Sequence, residues 1–344
     1  MTVRDIAYAE LYTYDREATV DYFCSGMGFA PIAEADEPGR SSTLLRQGDA
    51  QVVVSSGPDL AGFLDEHGDG IADLALTCDD VTLVQDTAVA AGARFLGAPH
   101  GAPVVSGFGD VRHTLIPATG FAAEGNGLPP GRPWISGSAS ADARQQAKTV
   151  RILDHVAVCV EGGRLAERAD FYRKAFGFSR FSSEYVAVGG QAMDSIVVRS
   201  ASGGVTFTMV APDPGKEPGQ LDRFLARNSG PGVQHLAFLV EDIVSAVRQF
   251  RGQGVRFLDT PDSYYDMLAG RLPDLTDRIE ALRDGRILAD SDEWGNLLQL
   301  FTTSPYERNT LFFELIQRQG SRGFGSANIR ALYEAVERDR LSTS

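Results

Sequence analysis

"GPGVQHLAFLVEDI", residues 230–243, has a weaker twin earlier in the chain, "GDGIADLALTCDDV", residues 68–81. Each reads as a short apolar strand that leads into a helix. The later copy carries His235 where the earlier one carries Asp73. An imidazole in one copy and a carboxylate in the other suggests one strand used twice, for different purposes.

Further pairs extend this internal repeat. "IAYAELYTYDREATVDYFCSGMGFAPIAE", from Ile6, matches "LDHVAVCVEGGRLAERADFYRKAFGFSRFSSE", from Leu153. Tyr8 then stands opposite His155, and Gly28-Phe29 opposite Gly177-Phe178. "GFGDVRHTLI", from Gly107, aligns with "DEWGNLLQLF", from Asp292, and sets His113 opposite Gln299. The offset between copies grows along the chain: 147 at His155, 149 at the Gly-Phe turns, 162 at His235 and 186 at Gly295. The larger gain, 24 residues after His235, includes "DTPDSYYDMLAGRLPDLTDRIEALRDG". An insertion in one member of a repeated pair reads as a binding or lid element. Within each half the strand-helix-strand start recurs, at Ile6 and Ile71 and at Leu153 and Val233. The expectation is α+β, built from four βαβββ modules.

Composition bounds the function. The chain has 344 residues, 43% apolar and 23% charged, which suits two globular domains. "EGNGLPPGRPWISGSASADARQQAKTV", residues 124–150, breaks the pattern and reads as interdomain sequence. The division expected is 1–135, a linker at 136–150, and 151–344. A net charge of −14 repels phosphate backbones and anionic lipid, so neither nucleic acid nor a membrane is an expected partner. The start lacks a basic n-region and an apolar h-region, and no apolar run approaches about 18 residues, so the cytoplasm is expected. Cys24, Cys78 and Cys159 show no CxxC spacing and read as buried free thiols.

Of five histidines, only His155 and His235 occupy equivalent positions, each early in the first strand of a module. Strict alternation puts Leu153, His155 and Ala157 on one face, and Val233, His235 and Ala237 on one face. Two equivalent strands can aim two imidazoles at one point. Glu314, in "NTLFFELIQRQG", is a lone carboxylate in an apolar run, costly to bury unless it is paired or holds a metal. Two imidazoles and one carboxylate, with other positions open, suit non-haem Fe(II) chemistry. Taken singly, a strand histidine is more often a satisfied core residue, and Glu314 a strand-end charge that reaches solvent. Tyr8 and Asp73 cannot make the same site, so the first half reads as scaffold. His67, His100 and His113 are assigned no chemistry.

At these residues a family resemblance emerges. "GVQHLAF", "DTPDSYYDML", "DEWGNLLQLFT", "LFFELIQRQGSRGFGSANIRALYEAVE" and "AMDSIVV" resemble the 4-hydroxyphenylpyruvate dioxygenase and 4-hydroxymandelate synthase family, within the vicinal oxygen chelate superfamily. The resemblance covers nearly the whole chain and is densest over 150–337. It implies two open-barrel domains of the vicinal-oxygen-chelate type, a metal-free one at 1–135 and a catalytic one at 151–344. It implies Fe(II) on His155, His235 and Glu314, an arylpyruvate that chelates iron through its 2-oxo acid group, and O2 as co-substrate. If the oxidant reaches the ring carbon bearing the side chain, the side chain migrates and homogentisate forms; at the benzylic carbon, 4-hydroxymandelate forms.

Three positions depart from the dioxygenase branch. Ile329 stands where the dioxygenases resembled usually have Phe, and Thr208 and Val210 where they tend to have Pro and Asn. The synthases resembled have Ile, Thr and an aliphatic residue there, so the resemblance leans to 4-hydroxymandelate and a role in specialised metabolism. Neutral change within a dioxygenase is the alternative, and a metal-free protein that binds a small aromatic ligand is another. Ser195, Gln234 and Gln299 match polar pocket positions of the family. Phe301, Phe313 and Phe324 are candidate apolar walls. "SANIRALYEAVERDRL", residues 326–341, reads as an amphipathic helix that caps the pocket mouth. A homodimer through the first half stays open.

Overall fold

The computed structural model of the chain describes residues 2–121, 127–137, 149–328 and 330. Among them, sixteen strands form two sheets of eight. The first sheet contains β1 (Val3–Tyr12), β2 (Ala30–Glu37), β3 (Arg40–Gln47), β4 (Ala50–Ser56), β5 (Gly70–Cys78), β6 (Val104–Ser106), β7 (Arg112–Pro117) and β8 (Ile135–Ser136). The second contains β9 (Val150–Cys159), β10 (Ser179–Val188), β11 (Gln191–Arg199), β12 (Thr206–Pro212), β13 (Gly232–Val240), β14 (Leu288–Asp292), β15 (Gly295–Phe301) and β16 (Phe312–Gln319). Their orders are β6-β7-β5-β1-β4-β3-β2-β8 and β10-β11-β12-β9-β13-β16-β15-β14.

The duplication expected from sequence is visible in the ladders. Each sheet has two leading strands antiparallel at its centre, β1 with β5 and β9 with β13. Each module closes with a strand parallel to its leading strand: β4 on β1, β7 on β5, β12 on β9 and β16 on β13. This is the α+β fold of four modules. In the second module one strand has shrunk to an isolated bridge between Phe95 and Val105.

Local chemistry explains the matching connections. Asp80 and Asp242 accept from backbone N–H groups of Leu83 and Val244, capping the helices Val81–Ala90 and Ile243–Gly252. Gly28 and Gly177 take φ of 76° and 71°, the left-handed turn that ends the first helix of each half.

The registers correct two expectations. In the first sheet Asp73 pairs with Arg112, and in the second His235 pairs with Phe312. β7 therefore occupies the place of β16, and Thr114 lies opposite Glu314. The alignment of 107–116 with 292–301 fails because β14 and β15 form a hairpin whose turn resembles the β6–β7 connection. The offset at Glu314 is 200, so the second half has gained 38 residues after His235, where it was 162.

The second correction concerns faces. β9 carries an extra residue at Asp154, since Ala237 pairs with His155 but Phe238 with Leu153. β13 carries one at Gln234, since Val233 pairs with Val158 and His235 with Ala157. Each bulge reverses the alternation, so Leu153 and Val233 turn away from the histidines into the core between the sheets. The first sheet has register shifts at the same repeat positions, Ala7 and Ala72.

The outer faces of both sheets, with their helices, share one core. Phe23 and Phe29 of the first half meet Phe313 and Phe238 of the second at ring separations of 5.0 and 5.5 Å. The inner, concave faces point away from that seam. Residues 127–137, read from sequence as part of the linker, fill the first concave face: β8 pairs with β2, and Leu128 and Trp134 pack on Tyr8, Ile32 and Leu44. The insertion after His235 is a packed element. Its helix Asp262–Arg271 buries Tyr264, Tyr265 and Leu268, and the Tyr264 hydroxyl donates to Asn328 Oδ1 at 2.7 Å. Among the described residues no helix is long and apolar enough to cross a membrane.

Candidate metal centre

The two bulges and the parallel β13–β16 pair bring His155, His235 and Glu314 to one point. One ligand-type atom from each lies within 4.8 Å of the others. Glu314 Oε2 is 3.3 Å from His155 Nε2 and 3.1 Å from His235 Nε2. Glu314 and His155 are buried, at 2% and 3% exposure, so the reading of Glu314 as a strand-end charge is set aside.

The surroundings fix the imidazoles. His155 Nδ1 donates to Asp154 Oδ1 at 2.9 Å, which turns Nε2 toward the common point. Asp154 is held by both arms of Arg318, at 2.8 and 2.7 Å. Arg318 also donates to the carbonyls of Gly323 and Ser321 and lies 5.1 Å from the Phe324 ring centroid. Phe324 in turn packs edge-on to His155. His235 Nδ1 is buried without a hydrogen-bond partner among the described residues.

The electrostatics describe a site that wants a cation. Burial alone would lower His155, but the Glu314 charge and hydrogen bonds to Asp154 and Glu314 raise it to about 9. Burial would raise Glu314, but the charge of His155 and hydrogen bonds from both histidines bring it down to about 2. Burial lowers His235. Two imidazole nitrogens and a carboxylate oxygen converging in a buried pocket fit a divalent first-row metal.

The concave face around this point gathers most of the other candidates. Thr208 and Val210 on β12 register with Ala157 and Cys159 on β9, and Ser195 on β11 registers with Val210. These residues therefore face the same side as His155. Ser195 Oγ donates to the Glu184 carbonyl at 3.2 Å. Phe301 registers with Glu314, and its ring is 5.6 Å from His235. Gln299 is buried two residues away, with Oε1 lacking a hydrogen-bond partner among the described residues. Gln234 is the bulged residue itself. Ile329 and the helix expected to cap the mouth lie outside the described residues, apart from 326–328 and 330.

Phe313 is a correction. It points to the outer face, against Tyr22, Phe23 and Phe238, because β16 alternates and Glu314 points in. Its neighbour Phe312 takes the wall position, 5.0 Å from His235. Sequence reading also missed Asp154, whose role depends on the bulge, and Cys159, which alternation from His155 would have found.

Comparisons with known proteins follow this geometry. The family model of the Glyoxalase/Bleomycin resistance protein/Dioxygenase superfamily matches residues 5–109 and 152–300. The chain is 35% identical to 4-hydroxyphenylpyruvate dioxygenase of Neurospora crassa, covering 80% of this chain and 71% of that protein. It is 30% identical to 4-hydroxyphenylpyruvate dioxygenase of Yarrowia lipolytica, covering 98% and 92%. Among solved structures, a triple mutant of 4-hydroxymandelate synthase from Streptomyces coelicolor superposes with a TM-score of 0.89 at 49% identity, covering 99% of this chain and 100% of that one.

Proposed function

The chain belongs to the Glyoxalase/Bleomycin resistance protein/Dioxygenase superfamily and, within it, to the 4-hydroxyphenylpyruvate dioxygenase family of non-haem iron dioxygenases; from that premise we propose that it converts 4-hydroxyphenylpyruvate and O2 to 4-hydroxymandelate and CO2. The observation that carries this reading is the placement of Thr208 and Val210 on the concave face of the metal centre. It is supported by the 49% identity to a synthase along the full chain. Residues 1–135 are read as a metal-free domain, 136–150 as the connection, and 151–344 as the iron-binding domain.

His155, His235 and Glu314 would hold Fe(II). Bound there, the metal would supply a coordination site for the 2-oxo acid and O2 and a path for electrons, whose net source is the substrate through loss of CO2 and oxidation of its benzylic carbon. The residues have other tasks. Asp154 keeps the Nδ1 proton on His155, so Nε2 presents a lone pair. Phe301, Phe312 and Phe324 surround the histidines with rings and keep water from the reacting carbon. Val210 offers no hydrogen bond, and Thr208 is small, so this wall positions the substrate by shape. Ser195, Gln234 and Gln299 are proposed to hold the aryl hydroxyl or the carboxylate. Gln299, with a buried acceptor that has no partner among the described residues, is the best placed of them.

The test is turnover. Enzyme reconstituted with Fe(II) under anaerobic conditions is given 4-hydroxyphenylpyruvate and oxygen, and products are separated by chromatography and mass. Dominant 4-hydroxymandelate is expected. Dominant homogentisate favours the second reading, a 4-hydroxyphenylpyruvate dioxygenase, which rests on the names of the fungal relatives.

A further inference from the structure

The first concave face is not completely filled. A cleft of about 540 Å³ remains at one end, lined in part by Tyr12, Ala72 and Arg112. By the repeat registers these positions correspond to Cys159, Gln234 and Phe312 in the second half, of which Gln234 and Phe312 flank His235 and Cys159 lies on the same face beneath the helix Gln220–Arg227. The cleft is thus the first-half counterpart of the catalytic cavity, at a volume ordinary for small-molecule sites.

Its chemistry has changed from metal to guanidinium. Arg40 and Arg112 line the cleft, and Arg132 lies behind them on Glu10, so three arginines stand against two buried carboxylates, Glu10 and Asp73. Glu10 takes Arg132 and Arg40, and Asp73 takes Arg112. One positive charge is therefore left over, in a chain whose net charge is −14. Donors are left over as well. Arg40 Nε is buried with no hydrogen-bond partner among the described residues. A guanidinium offers five N–H donors in a planar fork suited to a carboxylate.

The walls and rim restrict the ligand further. Tyr12 and Phe63 meet edge to face at 5.3 Å, both lining the cleft. The rim is acidic: Glu37 lies 3.7 Å from His100, Asp110 lies 3.0 Å from His67, and Asp59 is exposed with no side-chain partner among the described residues. A simple anion would be repelled on entry by these carboxylates. A molecule with a carboxylate at one point and an ammonium at another satisfies both ends.

We propose that this cleft binds a small aromatic α-amino acid, its carboxylate on Arg40 and Arg112, its ring against Phe63 and Tyr12, and its ammonium at Asp59 and Glu37. The site is independent of iron and of the reaction in the second half.

The test is calorimetric titration of the full chain, prepared without metal, with L-tyrosine and with 3-(4-hydroxyphenyl)propanoate. The second compound keeps ring and carboxylate and lacks the amine. L-Tyrosine should saturate one site per chain and bind more tightly than the propanoate. Asp59→Asn should weaken L-tyrosine about fivefold and leave the propanoate unchanged. Phe63→Ala should weaken both compounds by about tenfold. The proposal is overturned by no saturation up to about 2 mM, by equal affinity for the two compounds, or by L-tyrosine binding that ignores both substitutions. Asp59 is exposed, so its substitution does not threaten the fold, and it decides the matter if Phe63→Ala melts early.

Discussion

On the first sheet Tyr8 stands in the place of His155, Asp73 in that of His235 and Thr114 in that of Glu314. Both sheets share strand order and the two bulges that turn these positions inward. What differs is how buried polarity is satisfied. In the first half Thr114 donates to Asp73 through its hydroxyl and, at 3.0 Å, through its backbone N–H. Arg132 and Trp134, from the segment after the sheet, then close over Glu10 and Tyr8. In the second half the equivalent groups converge, with no counterpart of that plug among the described residues, and carry negative charge that calls for a cation. The bulged scaffold is common to both, and what differs is the side chains at three positions and the segment 127–137 that packs over the first of them.

The largest effect should come from breaking the second site. Glu314→Gln keeps the shape and removes the charge. Iron content after reconstitution should fall to background, and turnover by at least about a thousandfold, while the melting temperature of the metal-free protein stays near wild type. Retention of iron by this variant would mean that the three residues are not the ligand set.

The matching break in the first half concerns stability. Arg132→Met leaves Glu10, fully buried, with Arg40 and Ser55 as its remaining partners. A loss of about 3 to 5 kcal/mol in unfolding free energy is expected from uncovering a buried ion pair. Iron binding by the folded fraction should not change. Urea unfolding alongside metal analysis separates the two halves.

These contrasts were partly legible in sequence. His155, His235 and Glu314 stood out because each is polar within an apolar strand, and the repeat showed Tyr8 and Asp73 in two of the three places. Thr114 was hidden, because the ladder that pairs β7 with β5 cannot be read from local similarity and the β14–β15 turn offered a closer match. Phe313 was misplaced although alternation from Glu314 excludes it. The bulges at Asp154 and Gln234 leave no composition signal, since they depend on which residue the partner strand skips. The burial of Tyr264, which makes the insertion a buttress, depends on Asn328 arriving from 64 residues away.

The seam between the halves should be sensitive to acid. His113 lies on β7 beside Thr114 but faces outward, its Nδ1 donating to the Leu74 carbonyl at 3.0 Å and its Nε2 accepting from the Tyr172 hydroxyl at 2.8 Å. Burial lowers its pKa to about 4. In the unfolded chain it titrates near 6.5. As pH falls from about 6.5 to about 4 the unfolded state takes up a proton that the folded state refuses, so stability is lost over that window and is fully present above it. The whole effect is at most about 3 kcal/mol. Urea unfolding at pH 7 and pH 5 should show the decline in wild type and a smaller one in His113→Gln. Equal declines would assign the acid sensitivity elsewhere.

A smaller effect is expected one step behind the ligands. Asp154→Asn keeps an acceptor for His155 Nδ1 but gives up the charge and the two-armed hold of Arg318. Iron affinity should fall by about 10- to 100-fold, the usual range for a carboxylate behind a metal-bound histidine. An unchanged dissociation constant would reduce Asp154 to an anchor for the 321–324 loop.

The smallest change should redistribute product without abolishing turnover. Val210 lies on β12 on the same face as His155, and Ile329 follows Asn328, which Tyr264 holds in place. Val210→Asn adds a donor and an acceptor at an apolar position beside Ser195 and Thr208, and Ile329→Phe adds a flat ring. Differences of this size in a pocket are worth about 1 to 3 kcal/mol between competing outcomes. The ratio of homogentisate to 4-hydroxymandelate should therefore rise by about tenfold or more in the double variant, with total consumption of 4-hydroxyphenylpyruvate reduced less than the ratio rises. If the ratio stays fixed while turnover falls, these positions set the rate and the branch point lies with other residues of the concave face, of which Thr208, in register with Ala157 across from His235, is the next to change.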